Sequence, residues 1–105
     1  MKSPLRTKEA LKAEVNRWAN IIKVHPEQIR LQKMKKKWAS YSTGGRVCFS
    51  TDLLKESRSF QEYVIVHELL HFQITNHGKL FKTMMNIFLP GWQKMETSVD
   101  NVREL

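Results

Sequence analysis

Tyr63-Val64-Ile65-Val66-His67-Glu68-Leu69-Leu70-His71, followed closely by Thr75-Asn76-His77-Gly78, is the stretch that decides how this chain folds. By periodicity alone, Tyr63 to Val66 is an apolar, β-branched run that suits a buried strand. The residues just before it point the other way. Ser59-Phe60-Gln61-Glu62 fits a capping box, in which a serine hydroxyl and a glutamate carboxylate satisfy the free amides of a first helical turn. The spacing therefore predicts a helix that begins at Ser59 and runs to about Thr75.

On a helix, His67 and His71 lie four residues apart and project from one face, at a separation that one zinc ion can bridge. Glu68 follows the first histidine and is predicted to turn its carboxylate toward the open side of such an ion, as a general base. A catalytic zinc needs a third protein ligand, and His77 is the next donor. It lies too far along to share the same helical face, so the chain must turn. Asn76 tolerates the left-handed conformation and Gly78 permits a sharp bend, which predicts a helix end between Thr75 and Gly78. Three of the 4 histidines fall between positions 67 and 77, in the order ligand, base, ligand, ligand. A purely structural zinc site would close with a fourth ligand, often a thiolate. The single cysteine, Cys48, sits in a predicted strand and suits that role poorly.

Outward from this core, Leu80, Phe81, Met84, Met85 and Phe88 mark a further helix from about Lys79 to Leu89-Pro90-Gly91, with the stripe read as core packing. Trp92, Met95 and Val99 suggest a short last helix. Upstream, Leu11, Val15, Trp18 and Ile22 recur at helical spacing between Thr7 and Lys23, and Val24-His25-Pro26 should end that helix. His25 is then a surface turn residue. Ile29 and Leu31 alternate with Gln28, Arg30 and Gln32, as in a strand. Trp38 to Ser42 and Arg46 to Ser50 flank Thr43-Gly44-Gly45 as a hairpin whose glycines supply positive backbone angles. Val47 and Phe49 would face the core and Cys48 the other side.

The 105 residues fit one domain spanning 1–105, and 41% hydrophobic content with only 4 Gly and 3 Pro indicates a globular chain. No apolar run is long enough to cross a membrane, and the charged first residues do not resemble a secretory signal, so a cytoplasmic location is expected. One cysteine cannot form an intrachain disulfide, which suits a reducing compartment. Eighteen Lys and Arg against 10 Asp and Glu give a net charge of +8, a balance that attracts polyanions at low salt. Weak nucleic-acid association through this surface is thus a second expectation, with Lys33 to Trp38 gripping phosphates and stacking a base.

The sequence resembles the YgjP-like metallopeptidase family, relatives of the SprT-like group within the zincins. The resemblance runs from about Val15 to Gln93. It rests on the basic stretch Ile29 to Lys37 leading into Trp38-Ala39-Ser40, the glycine hairpin with Arg46 to Ser50, the run Tyr63 to Leu69, and Asn76-His77-Gly78 followed by Phe81. The family usually reads Trp-Gly-Ser-Cys-Ser where this chain has Trp38-Ala39-Ser40-Tyr41-Ser42. The resemblance implies an α+β, zincin-like fold, with a small antiparallel sheet packed on an HExxH active-site helix flanked by N- and C-terminal helices. It also implies one zinc ion per chain on His67, His71 and His77, with Glu68 as the catalytic glutamate. The expected activity is zinc-dependent hydrolysis of a peptide or protein substrate lying along Arg46 to Ser50 as an edge strand. The sequence does not choose an oxyanion-stabilising residue among Tyr41, Arg46 and Lys79. A zinc-binding scaffold without catalysis is the remaining alternative, and a glutamate at position 68 has no use in it.

Overall fold

The computed structural model of the protein describes residues 3–42 and 44–98. The order is helix α1 (Lys8–Ile22), strands β1 (Gln28–Gln32), β2 (Ala39–Ser42) and β3 (Arg46–Ser50), a single 3-10 segment (Thr51–Lys55), and helices α2 (Arg58–Leu70), α3 (Lys79–Phe88) and α4 (Gln93–Ser98). This is the expected α+β fold with a sheet packed on the histidine-bearing helix.

Helix α1 matches its expected limits because both ends carry local signals. The Thr7 hydroxyl accepts from the Ala10 amide, and Lys23 closes the helix in the left-handed region at φ 68° with its own amide on the Ala19 carbonyl. Leu11, Val15, Trp18, Ala19 and Ile22 form the buried stripe, and His25 is exposed as expected.

The sheet order is β1-β3-β2, with β2 antiparallel and β1 parallel to β3. The expectation of a purely antiparallel sheet is therefore corrected to a mixed one. Residues 33–38 carry the chain past one strand position before β2, and the tight hairpin brings β3 back into the gap. Arg46 to Ser50 is consequently the central strand, not an edge. The hairpin closes as predicted: the Gly45 amide donates to the Ser42 carbonyl at 3.1 Å, and Gly45 takes the positive φ of 83° that a three-residue hairpin loop with a bulge demands. Thr43 lies outside the described residues.

Val47 and Phe49 face the helices, at 1% and 0% exposure. Helix α2 is buried along most of its length; Val64, Ile65, Val66, Leu69 and Leu70 are all 0% exposed. A helix surrounded on every side is apolar all round, which is why this stretch reads equally well as a strand. Tertiary burial outweighs the modest helix penalty of β-branched residues, since burying each such side chain is worth about 1.5–3 kcal/mol.

Three local expectations change. The cap of α2 is Ser57, whose side chain accepts from the Phe60 amide, so Ser59 lies inside the first turn and makes no capping box. The helix ends at Leu70, not near Thr75, with His71 as its C-cap. In α3, Phe81 and Met85 are buried, but Leu80 is 62% exposed. Helix α4 contains Met95 and follows Trp92; Val99 lies outside the described residues.

Candidate metal centre

His67 enters from the last full turn of α2, buried at 7% exposure, and Glu68 beside it is buried at 3%. After Leu70 the helix tightens: the amides of His71, Phe72 and Gln73 reach back three residues to Glu68, Leu69 and Leu70. His71 is thereby held on the same side as His67 while the chain turns away from the helix axis. The Gln73 side-chain amide donates to the Ile22 carbonyl at 3.2 Å, tying this turn to the end of α1.

The return to His77 depends on Asn76 and Gly78, though not through the positive φ the sequence suggested. Among the described residues only Lys23, Gly45 and Gly91 have positive φ. Asn76 Oδ1 instead accepts from the Gly78 amide at 2.9 Å in an Asx turn. A Cβ at position 78 would come within 2.8 Å of that oxygen, so a larger residue there would displace the Asn76 side chain from the turn. Gly78 then starts α3 without a side-chain cap.

The result brings His67, His71 and His77 together, with one nitrogen from each ring within 4.8 Å of the others. His71 Nε2 and His77 Nε2 are 3.1 Å apart, near the roughly 3.3 Å that separates two ligand nitrogens on a tetrahedral zinc with bonds of about 2.0–2.1 Å. His71 Nδ1 lies 3.1 Å from the Ile74 carbonyl. A carbonyl only accepts, so Nδ1 carries the proton and the Nε2 lone pair faces His77. Burial, reinforced by the neighbouring His67, holds the His71 imidazole below its usual pKa, which keeps it neutral and able to donate its lone pair at neutral pH.

His67 Nδ1 is buried with no hydrogen-bond partner, 3.8 Å from a Glu68 carboxylate oxygen. Trp18 Nε1 and Arg58 Nε are buried in the same way elsewhere in the chain, so the fit to a cation rests on the three converging imidazoles. Hydrogen bonds from the described residues do not reach the Glu68 carboxylate either. The donor set fits a single borderline-soft cation such as zinc.

Phe81, read from the sequence as core packing, lies against the centre. Phe81 from α3 lies under all three imidazoles, with ring centroids at 5.2, 5.0 and 4.9 Å from His67, His71 and His77. The sequence placed Phe81 in the core stripe of this helix, and its position four residues after His77, on the first turn, is what brings it to the histidines. Tyr41 of β2 packs on Phe72 at 4.7 Å. The other residues considered for an oxyanion separate: Arg46 projects from the sheet face opposite the helices, because its neighbour Val47 faces inward, and Lys79 is exposed at the start of α3. Trp38 is buried at 7% and packs edge-on against Phe60 at 5.0 Å, so its ring is closed to a stacking base. No helix is long and apolar enough to cross a membrane among the described residues.

Comparison with known proteins gives the family and the fold. The sequence profile of the YgjP-like metallopeptidase domain matches residues 4–101. The fold is similar to the metallopeptidase zymogen abylysin of Pyrococcus abyssi, with a TM-score of 0.72 and 18% identity over 84% of this chain and 90% of that one. It is also similar to the metallopeptidase zymogen jannalysin of Methanocaldococcus jannaschii, at 0.75 and 24% identity over 84% and 91%. No curated protein matches the chain.

Proposed function

Since this chain belongs to the YgjP-like metallopeptidase family, we propose that it hydrolyses peptide bonds with one zinc ion on His67, His71 and His77 and with Glu68 as general base. The observation that carries this reading is the convergence of three imidazoles beside a buried carboxylate that no described donor occupies. Glu68 is 3% exposed beside the histidines, and a proton-transfer role explains a carboxylate at that position.

When bound, zinc would supply Lewis acidity, acidifying a water molecule and polarising the substrate carbonyl. Glu68 takes the proton from the attacking water and returns it to the departing amine. His71, fixed by the Ile74 carbonyl, keeps its ring orientation through the cycle. Phe81 floors the site and excludes water from beneath the imidazoles.

The substrate strand is reassigned with the sheet order. Helix α2 packs against β2, and β2 is an edge strand, so an extended peptide adds to Ala39–Ser42 rather than to β3. N-methylating the substrate amides that pair with β2 should slow cleavage roughly tenfold for each lost hydrogen bond. Equal rates for methylated and plain peptides would remove the strand-addition step.

Cleavage of a peptide library by the zinc-loaded protein, with Glu68→Gln as control, tests the reading as a whole. The substitution should lower kcat about 100- to 10,000-fold while zinc stays bound. Zinc bound without cleavage by the native chain against a broad library would favour the non-catalytic scaffold.

A further inference from the structure

The sheet face turned away from the helices is uncovered, and its chemistry differs from the rest of the molecule. Alternation sends Arg30 and Gln32 of β1, Ser40 and Ser42 of β2, and Arg46 and Cys48 of β3 to this side, around a hollow of about 210 Å³. The register sets Cys48 between Arg30 and Ser40, and Arg46 beside Ser42.

The loop after β1 closes one end of the hollow. There the Ser50 hydroxyl donates to the Met34 carbonyl at 3.1 Å, and Met34 Sδ lies 3.6 Å from Cys48 Sγ. The other end is open. Arg30 and Arg46 are exposed there, and neither makes an ion pair or side-chain hydrogen bond with a described residue. They are diagonal neighbours on adjacent strands, which puts their Cβ atoms roughly 7–8 Å apart.

The hollow has no carboxylate in its lining. The register pairs Arg30 with Cys48 and Arg46 with Gln28, so the two cations sit on a diagonal with no counter-charge in the lining between them. Elsewhere in this chain exposed arginines do find partners, as Arg17 does with Glu14 at 2.8 Å. Burial pushes the Cys48 thiol up from its usual pKa, so the floor stays neutral.

Two guanidinium forks, two hydroxyls and one side-chain amide from three strands line the one hollow. That set matches the tetrahedral oxygens of a phosphate, which arginine grips bidentately. We propose that this hollow binds a phosphate group between Arg30 and Arg46, with Ser40 and Ser42 donating from β2, on the face opposite the histidine centre. Two sources carry that chemistry, a free phosphate or phosphomonoester and the diester backbone of a nucleic acid. With Trp38 buried and no aromatic ring lining the hollow, neither source is read by base stacking, so binding is independent of base identity.

The test uses the full chain. Inorganic phosphate is titrated by calorimetry, and a short fluorescent oligothymidylate is titrated by anisotropy. Both are repeated on Arg30→Gln/Arg46→Gln, on the single charge reversal Arg46→Glu, and on Lys8→Gln/Lys12→Gln, which removes the same charge from α1. Saturable binding that weakens roughly tenfold or more in the arginine variants and less than about twofold in the lysine variant supports the site. Phosphate binding then identifies a small ligand, and oligonucleotide binding alone identifies a diester backbone. The proposal is overturned if neither probe binds. It is equally overturned if the lysine variant loses as much as the arginine variants, or if phosphate binding survives Arg30→Gln/Arg46→Gln and disappears in His77→Ala, which would move the anion to the metal centre.

Discussion

At the N-terminal end of α2, Glu14 receives hydrogen bonds from Arg17 at 2.8 and 2.9 Å and from Arg58 at 2.8 Å, with Glu62 placed 3.8 Å from Arg17 and 3.9 Å from Arg58. At the other end, His67, His71 and His77 face one another, His71 Nδ1 is held by the Ile74 carbonyl at 3.1 Å, and His71 Nε2 lies 3.1 Å from His77 Nε2. Both clusters join distant segments to the same helix. The first does so with opposite charges, the second with three like groups whose nitrogens converge. A cluster of opposite charges serves the fold, whereas three imidazoles gathered within reach of one point are a donor set for a cation.

The N-terminal end is reinforced beyond the charges. Gln61, fully buried, donates to the carbonyls of Leu5 and Leu53 at 2.7 and 2.9 Å and accepts from the Leu5 amide at 2.9 Å. Arg58 also donates to the Ser3 carbonyl at 2.9 Å. These contacts anchor the first described residues to α2, so the histidine end can remain incomplete without loosening the helix.

The largest expected effect lies at the histidine end. Zinc at a thousandfold over its Kd should raise unfolding stability by about 4 kcal/mol, and His71→Ala should abolish that gain. Urea melts with and without zinc measure it; a zinc-independent midpoint in the native chain would contradict the contrast between the ends.

Next comes Glu14→Gln, which should cost about 2 kcal/mol near neutral pH after allowing for the half-exposed Arg17. Zinc binding should be unaffected. The hydrogen bond from Arg17, with Arg58 adding to it against opposing burial, lowers the Glu14 carboxyl from 4.5 to about 2. A depressed carboxylate contributes its stability fully above the unfolded pKa and loses it as pH falls through the folded one. The gap between native and variant should therefore be constant above about pH 5 and close between pH 4.5 and about 2. A gap that persists unchanged at pH 2 would show that the carboxylate's charge is not what matters.

The smallest effect separates two serines at the start of α2. Ser57→Ala should cost about 1 kcal/mol through loss of the cap, and Ser59→Ala less than about 0.5 kcal/mol. The reverse order in thermal melts would restore the capping box read from the sequence.

That serine pair illustrates what was legible and what was not. Features written in adjacent residues were readable: the limits of α1 from Thr7 and the residues before Pro26, the hairpin from Gly44-Gly45, and the histidine spacing with its glutamate. Features set by long-range pairing were not. The parallel register of β1 with β3 depends on which gap the hairpin fills, and Glu14 meets Arg58 across 44 positions. Gly78 reads as allowing a bend, and the turn is made by the Asn76 side chain accepting from its amide, an arrangement only coordinates reveal. Helix α2 ends early for a similar cause: residues 71–73 tighten to turn the chain back toward His77, against a local sequence that could continue the helix.

Metal content of the native chain and His77→Ala, measured by mass spectrometry on protein purified without chelator or histidine tag, tests the central claim most directly. The account predicts one zinc per native chain and a loss or severe weakening in the variant; full zinc retention by His77→Ala, or none in the native chain after zinc is supplied, would contradict it.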